Sequence, residues 1–179
     1  MAEIIFITGG CRSGKSSYAR RLGESLHGPR TFLATCPVLD DEMVRRIEAH
    51  RNERAQGGWE TVEEPVRLDA VLSKPEGRRV ILLECLSLWV NNMLYEASKT
   101  QADLTESDVE RHCRDFLAAG SSHSYTLIVV SNEVGMGIVP DNALARKYRD
   151  LLGRANQVVA EAACKVIFMV SGIPLNIKG

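Results

Sequence analysis

The chain has 179 residues, 45% of them hydrophobic and 25% charged, enough apolar material for one buried core without disulfide staples. A formal net charge of -1 supplies no basic surface of the kind that nucleic acid or an anionic membrane attracts, so neither is expected as a partner. No apolar stretch reaches the roughly 20 residues a membrane-crossing helix requires.

The elements follow in chain order. Glu3–Thr8 (EIIFIT) is a continuous apolar run without a basic leader or cleavage site, and reads as a first strand rather than a signal peptide. A glycine-rich turn, Gly9–Ser16, leads into a helix on which Tyr18, Leu22 and Leu26 fall four apart. Thr31–Thr35 is a second strand. Asp40 then N-caps a helix whose stripe is Met43, Val44 and Ile47, with His50 on the same face. Gln56–Gly58 and Lys74–Arg79 read as surface loops around the third strand, Arg79–Glu84. The apolar Leu86–Met93 stretch around Trp89 reads most simply as helix core, with a subunit contact as the alternative.

Helical spacing returns over Asp103–Ala119 and Asn142–Ala163, separated by a fourth strand, Tyr125–Ser131, and followed by a fifth, Lys165–Ser171. Strands covered on both faces and alternating with helices imply an α/β fold of three layers with a mainly parallel central sheet. Residues 1–179 are expected to form one catalytic domain. The five cysteines (Cys11, Cys36, Cys85, Cys113 and Cys164) are widely spaced, without a CxxC pair or grouped histidines, and read as reduced thiols of a cytoplasmic protein.

The chemistry starts at Gly9-Gly10-Cys11-Arg12-Ser13-Gly14-Lys15-Ser16, which fits G-x-x-x-x-G-K-[ST] without a mismatch. Glycines let successive backbone N–H groups turn towards a phosphate chain, Lys15 reaches its outer phosphates, and the Ser16 hydroxyl ligates Mg²⁺. The strand before and the helix after are the context this P-loop needs, and the helix adds its positive end. A magnesium site also needs a carboxylate, and Glu84 closes a buried strand at the edge where it would meet the loop. A solvated strand end is the plainer alternative for it.

His50, beside Arg51 and Arg54, offers an imidazole next to cations that suit phosphate oxygens. From residue pattern alone, an inward packing histidine is the simpler reading. His27, His112 and His123 read as surface residues. Asn132 and Glu133, ending the fourth strand before two glycines, are placed to orient an acceptor hydroxyl, with a structural turn or subunit contact equally open.

Several segments together resemble one family, the bifunctional adenosylcobinamide kinase/adenosylcobinamide-phosphate guanylyltransferases. They are the Gly9–Ser16 loop, Ala34-Thr35-Cys36, Leu39–Met43, Arg46-Ile47 with His50, Leu83–Leu86 with Trp89–Asn92, Ser131–Pro140 and Val170–Pro174. The likeness runs in order along the whole chain. It implies a P-loop (RecA-like) fold and two activities. The first is phosphorylation of adenosylcobinamide. The second is transfer of GMP from GTP, through a guanylylated histidine, to adenosylcobinamide phosphate.

By position and flanking residues the resemblance puts the GMP on His50, with Ala49 where the family often has a second histidine. It implies Lys15 as the catalytic lysine. It implies nucleotide contacts from Gly9, Gly10, Cys11, Arg12, Ser13, Gly14, Lys15, Ser16, Ala34, Thr35, Cys36, Arg51, Asn52, Glu53, Arg54, Glu63 and Glu84. Carboxylates accept from the guanine N1–H and amine, so Glu63 or Glu84 is the base reader; Glu84 is base reader, metal ligand or both. The family resemblance further implies Mg²⁺, GTP or ATP as phosphoryl donor, and a symmetric homo-oligomer, a trimer in particular. A kinase without a covalent histidine, or a nucleotide-gated regulator, is the competing reading.

Cys11, Cys36 and Cys85 should all lie near the nucleotide. Thiol modification is therefore expected to inhibit the enzyme by steric block; alkylated protein that still binds GTP fully would contradict this.

Overall fold

The computed structural model describes residues 2–36, 57–73, 77, 79–121 and 123–179. Among them are seven strands: β1 (Glu3–Gly9), β2 (Arg30–Ala34), β3 (Trp59–Glu63), β4 (Val80–Leu83), β5 (Thr126–Val130), β6 (Lys165–Val170) and β7 (Ile173–Lys178). They form one sheet in the order β3-β2-β4-β5-β1-β6-β7. Every pairing is parallel except β6 with β7. The helices described are α1 (Lys15–Ser25), α2 (Leu68–Leu72), α3 (Leu86–Lys99), α4 (Glu106–Ala119) and α5 (Ala143–Ala162).

The continuous apolar runs arise because the central strands are covered on both faces. Side chains alternate along a strand, so Phe6, Leu33, Ile81, Leu83 and Val129 point to one side, packing with Leu86, Trp89, Phe116, Leu152 and Val159 of α3, α4 and α5. Ile5, Ile7, Phe32, Leu82 and Ile128 point to the other side, against Ala19, Tyr18 and Leu22 of α1. Full burial of each such side chain contributes roughly 1.5–3 kcal/mol. The three-layer α/β expectation holds, with a mainly parallel sheet at its centre.

The five expected strands form within a residue of their bounds. Two more were not read from the sequence. β3 (WETVE) alternates rather than running apolar, because it is an edge strand with Trp59 buried and Glu60 and Glu63 exposed. β7 (IPLNIK) is exposed throughout, and Pro174 suits an edge. Leu86–Met93 is the buried first half of α3: Trp89 is 2% exposed and its ring lies 5.6 Å from that of Phe116. The helix-core reading therefore stands for this stretch. The helix expected after Asp40 lies outside the described residues.

Caps fix the helix ends. Asn142 accepts from Ala145 N at 3.0 Å, and Thr105 and Asp108 form a reciprocal capping box. Arg30 closes α1 by donating to the carbonyls of Gly23, Glu24 and Leu26, satisfying groups a helix C-terminus leaves open. Trp59 lies against α1 where Gly23 leaves room: a Cβ at Gly23 would come within 2.5 Å of the indole Cη2. Replacing Gly23 by Ala is expected to destabilise the fold by about 1–3 kcal/mol through overpacking, read as a lower midpoint in urea unfolding.

Candidate active site at the carboxyl edge of the sheet

The phosphate loop is built by its neighbours as much as by its own glycines. β1 runs straight into it, and the β1–β5 ladder continues past the strands: Ser131 N donates to Ile7 O and Glu133 N to Gly9 O, both at 3.0 Å. On the other flank a Cβ at Gly9 would fall 2.4 Å from Met169 O of β6, and Gly9 has φ +152, so only glycine fits. Ser171 and Gly172, both at positive φ, make the two-residue turn between β6 and β7, the mirror-image turn that suits a tight hairpin. The Gly172 N–H donates to Ser13 O at 3.0 Å, so this turn braces the loop. Gly14, at φ +90, caps α1, which begins at Lys15.

Lys15 is 7% exposed, with Nζ donating to Gly10 O at 2.6 Å and lying 3.5 Å from Ser13 Oγ. Burial pulls its pKa below the ordinary lysine value, while Cys11 and Cys85 pull it back up. A cavity of about 510 Å³ opens in front of it. Arg12, Ser13, Gly14, Lys15, Ser16 and Ser17 line one part, Glu84, Cys85 and Ser87 another, and Val130, Ser131 and Asn132 the rest. Three parallel strands thus deliver their C-terminal ends, or the loops after them, to one hollow. That is where ligands bind in open α/β sheets.

The predicted residues sort as follows. Arg12, Ser13, Gly14, Lys15, Ser16 and Glu84 meet in the cavity. Gly9, Gly10 and Cys11 form the rest of the loop, with Cys11 exposed. Ala34 ends β2, Thr35 and Cys36 follow it, and Glu63 ends β3 in register with Ala34. These stand along the same edge beside the cavity. Burial pushes the Cys36 thiol pKa up, and Cys85, Glu84 and Glu63 push the same way, which brings both carboxylates into its neighbourhood. His50, Arg51, Asn52, Glu53 and Arg54 lie outside the described residues. His27 and His112 are exposed, as read from sequence.

Sequence reasoning missed the buried polar groups that hold this edge in shape. Asn92, 6% exposed on α3, donates both hydrogens of Nδ2 to carbonyls, Thr35 O at 2.7 Å and Pro65 O at 2.9 Å. Thr35 Oγ1 donates to Cys85 O at 3.1 Å, and Trp89 Nε1 to Val66 O at 2.8 Å. The segments after β2, β3 and β4 are thereby tied to α3. A second group lies under Asn132. Asn132 Nδ2 donates to Ser87 Oγ at 2.9 Å, Asn156 Nδ2 to Asn132 O at 3.1 Å, Ser131 Oγ to Asn156 Oδ1 at 2.6 Å, and Tyr148 Oη to Ser87 O at 3.0 Å. Burial raises the Tyr148 phenol to about 12, so it stays a donor across the physiological range. An Asn inside an otherwise apolar helical stripe, as at 92 and 156, was the available signal.

A loop of the G-x-x-x-x-G-K-S pattern between the first strand and first helix, facing a carboxylate at the end of a parallel strand, places the fold in the P-loop class of nucleotide-binding α/β proteins. Within that class the chain belongs to the cobinamide kinase / cobinamide phosphate guanyltransferase (CobU) family, matched over residues 5–177. It is similar to the bifunctional adenosylcobalamin biosynthesis protein CobU of Escherichia coli (strain K12), 39% identical over 98% of this chain and 99% of that protein. The CobU protein of Salmonella typhimurium is 40% identical, covering 98% and 99%. The bifunctional adenosylcobalamin biosynthesis protein CobP of Pseudomonas aeruginosa is 39% identical, covering 97% and 96%.

Replacing Asn92 by Ala strands two buried carbonyls and is expected to cost about 1–3 kcal/mol of unfolding free energy. GTP affinity should fall alongside, measured by titration calorimetry; unchanged values for both would refute the tethering role.

Proposed function

We propose that this chain phosphorylates the hydroxyl on the aminopropanol arm of adenosylcobinamide. It then transfers GMP from GTP, through a guanylylated His50, to adenosylcobinamide phosphate, giving adenosylcobinamide-GDP. The observation that carries the reading is the meeting of Lys15, Ser16 and Glu84 in one cavity, in a chain with full-length likeness to bifunctional relatives.

Phosphoryl transfer needs positioning and charge neutralisation more than covalent chemistry. The backbone N–H groups of Gly9–Ser16 cradle the polyphosphate, and Lys15 offsets its charge. The Lys15 ammonium, held in a desolvated position, gains more from a charged phosphate oxygen than from the neutral oxygens of Gly10 and Ser13 that it now meets. The Ser16 hydroxyl and Glu84 carboxylate are hard oxygen ligands in the same cavity and fit Mg²⁺, which characteristically takes one or two protein ligands and completes its shell with phosphate and water. Bound there, Mg²⁺ would neutralise charge on the outer phosphates. Glu84 or Glu63 reads guanine through N1–H and the amine.

In guanylyl transfer His50 forms an N–P bond to the α-phosphorus of GTP as the bond to the departing pyrophosphate breaks. A phosphate oxygen of adenosylcobinamide phosphate then displaces the imidazole. Arg51, Asn52, Glu53 and Arg54 surround that step in the family pattern. Residues 1–179 act as one catalytic domain. GTP or ATP serves the kinase step. A cytoplasmic setting agrees with the absence, among the described residues, of any helix long and apolar enough to cross a membrane. A homotrimer agrees with the exposed apolar residues Met136, Ile138, Val139 and Leu144, and with Ile173 and Ile177 of β7.

Incubation with α-labelled GTP is expected to leave a stable, acid-labile label on the protein, mapping to the peptide with His50 and absent from His50→Ala; γ-labelled GTP should leave none. Label retained in His50→Ala would defeat the covalent assignment. Turnover with a triphosphate and adenosylcobinamide separates the enzyme from a nucleotide-gated regulator, which would show only slow hydrolysis.

A further inference from the structure

Behind the Lys15 cavity lies a chain of polar side chains in which the bonds of Asn156 have forced directions. The main-chain carbonyl of Asn132 can only accept, so Asn156 must present Nδ2 to it, at 3.1 Å. The Asn156 Oδ1 then faces Ser131, whose hydroxyl donates at 2.6 Å. Asn156 and Ser131 are 8% and 1% exposed, so neither can turn to water instead. The Asn132 side chain is fixed at its other end. Its Nδ2 donates to the Oγ of Ser87, which is 3% exposed and is held in turn by Tyr148 through its main-chain oxygen.

Asn132 is thus held at two points, its main-chain oxygen by Asn156 of α5 and its carboxamide by Ser87 of α3, whose Oγ also lies 3.2 Å from Cys85 Sγ. Asn132 lines the cavity that holds Lys15 and Ser16. One Nδ2 hydrogen goes to Ser87, and among the described residues no bond takes up the second. A fixed neutral donor beside a buried ammonium suits an oxygen-rich anion, because it stabilises added negative charge without any reorganisation.

We propose that Asn132 is a catalytic residue of the phosphoryl-transfer step, its second Nδ2 hydrogen donating to an oxygen of the phosphoryl group being transferred, with Asn156 and Ser87 as positioning residues. This rests on the kinase reading above. In that step the acceptor alcohol oxygen forms a bond to the terminal phosphorus. The bond from that phosphorus to the bridging oxygen breaks, its electron pair leaving on the nucleoside diphosphate, and the alcohol proton is released to solvent. Asn132 exchanges no proton. It steadies the oxygens of the phosphoryl group while both axial bonds are partial.

The test measures two partial reactions on the same full-length variants: phosphorylation of adenosylcobinamide, and protein labelling from α-labelled GTP, whose reacting phosphorus is the innermost one. Asn132→Ala and the same-sized, donor-free Asn132→Asp are each expected to lower kcat for phosphorylation about 100-fold, the effect of deleting one preorganised donor. In Asn132→Ala, which adds no charge to the anion site, KM for the triphosphate and the yield of α-label should stay within about threefold, since the lost contact belongs to the transition state of the other step. Asn156→Asp sets a carboxylate oxygen against the Asn132 carbonyl and should lower the same kcat about tenfold with the label yield kept. The α-label itself reports that each variant is folded and binds GTP.

Wild-type kcat in Asn132→Ala, or in Asn132→Asp, overturns the proposal, as does an equal fall in both partial reactions, which would mark a purely structural role. Wild-type protein that forms no adenosylcobinamide phosphate at all would overturn the kinase reading itself, and that result is distinct from the others.

Discussion

The arrangement depends on one ammonium group kept out of water. Lys15 sits at the start of α1 and, among the described residues, donates only to a main-chain carbonyl and a serine hydroxyl. A cation so placed is costly unless oxygen surrounds it, and the depressed pKa reports that cost. The rest of the edge holds the surrounding groups still. β5 zips to β1 beyond the strand ends, Met169 presses on Gly9, and the tethers of Asn92 and Asn156 set the walls of the cavity. Rigidity here keeps the buried charge and the groups around it in place.

The two faces of the sheet divide the work. α1 packs on one face and carries the loop's lysine. The helices on the other face carry the buried amides and hydroxyls that shape the cavity from behind: Asn92 and Ser87 on α3, Tyr148 and Asn156 on α5. This explains why α3 and α5, apolar along most of their inner stripes, admit asparagine where a leucine would pack with less desolvation penalty. Buried polar groups of this kind are tolerated when every hydrogen finds a partner, and those of Asn92 do.

Much of this was legible beforehand. The continuous runs of β1, β4, β5 and β6 announce strands buried on both faces, and the G-x-x-x-x-G-K-S match names its own chemistry. Glu84 could be placed beside the loop from parallel topology alone, and the cavity holds both. What escaped was of two kinds. Edge elements such as β3 and β7 lack the apolar density that marks a buried strand, because one side of each meets solvent. The buried network escaped because hydrogen bonds between residues such as Ser131 and Asn156 join segments far apart in sequence, and no local periodicity encodes a partner. His50 was singled out by family likeness, since its spacing alone favours a packing residue.

The hairpin joining β6 and β7 has a significance its position conceals. Its turn lies more than 150 residues from Ser13 in sequence, yet a single N–H joins the two. Because Ser171 and Gly172 both adopt left-handed backbone angles, one inserted residue would swap the turn type and swing that N–H away. A surface hairpin that looks free to drift over evolution is therefore a keystone, locked in length by the loop it braces from outside.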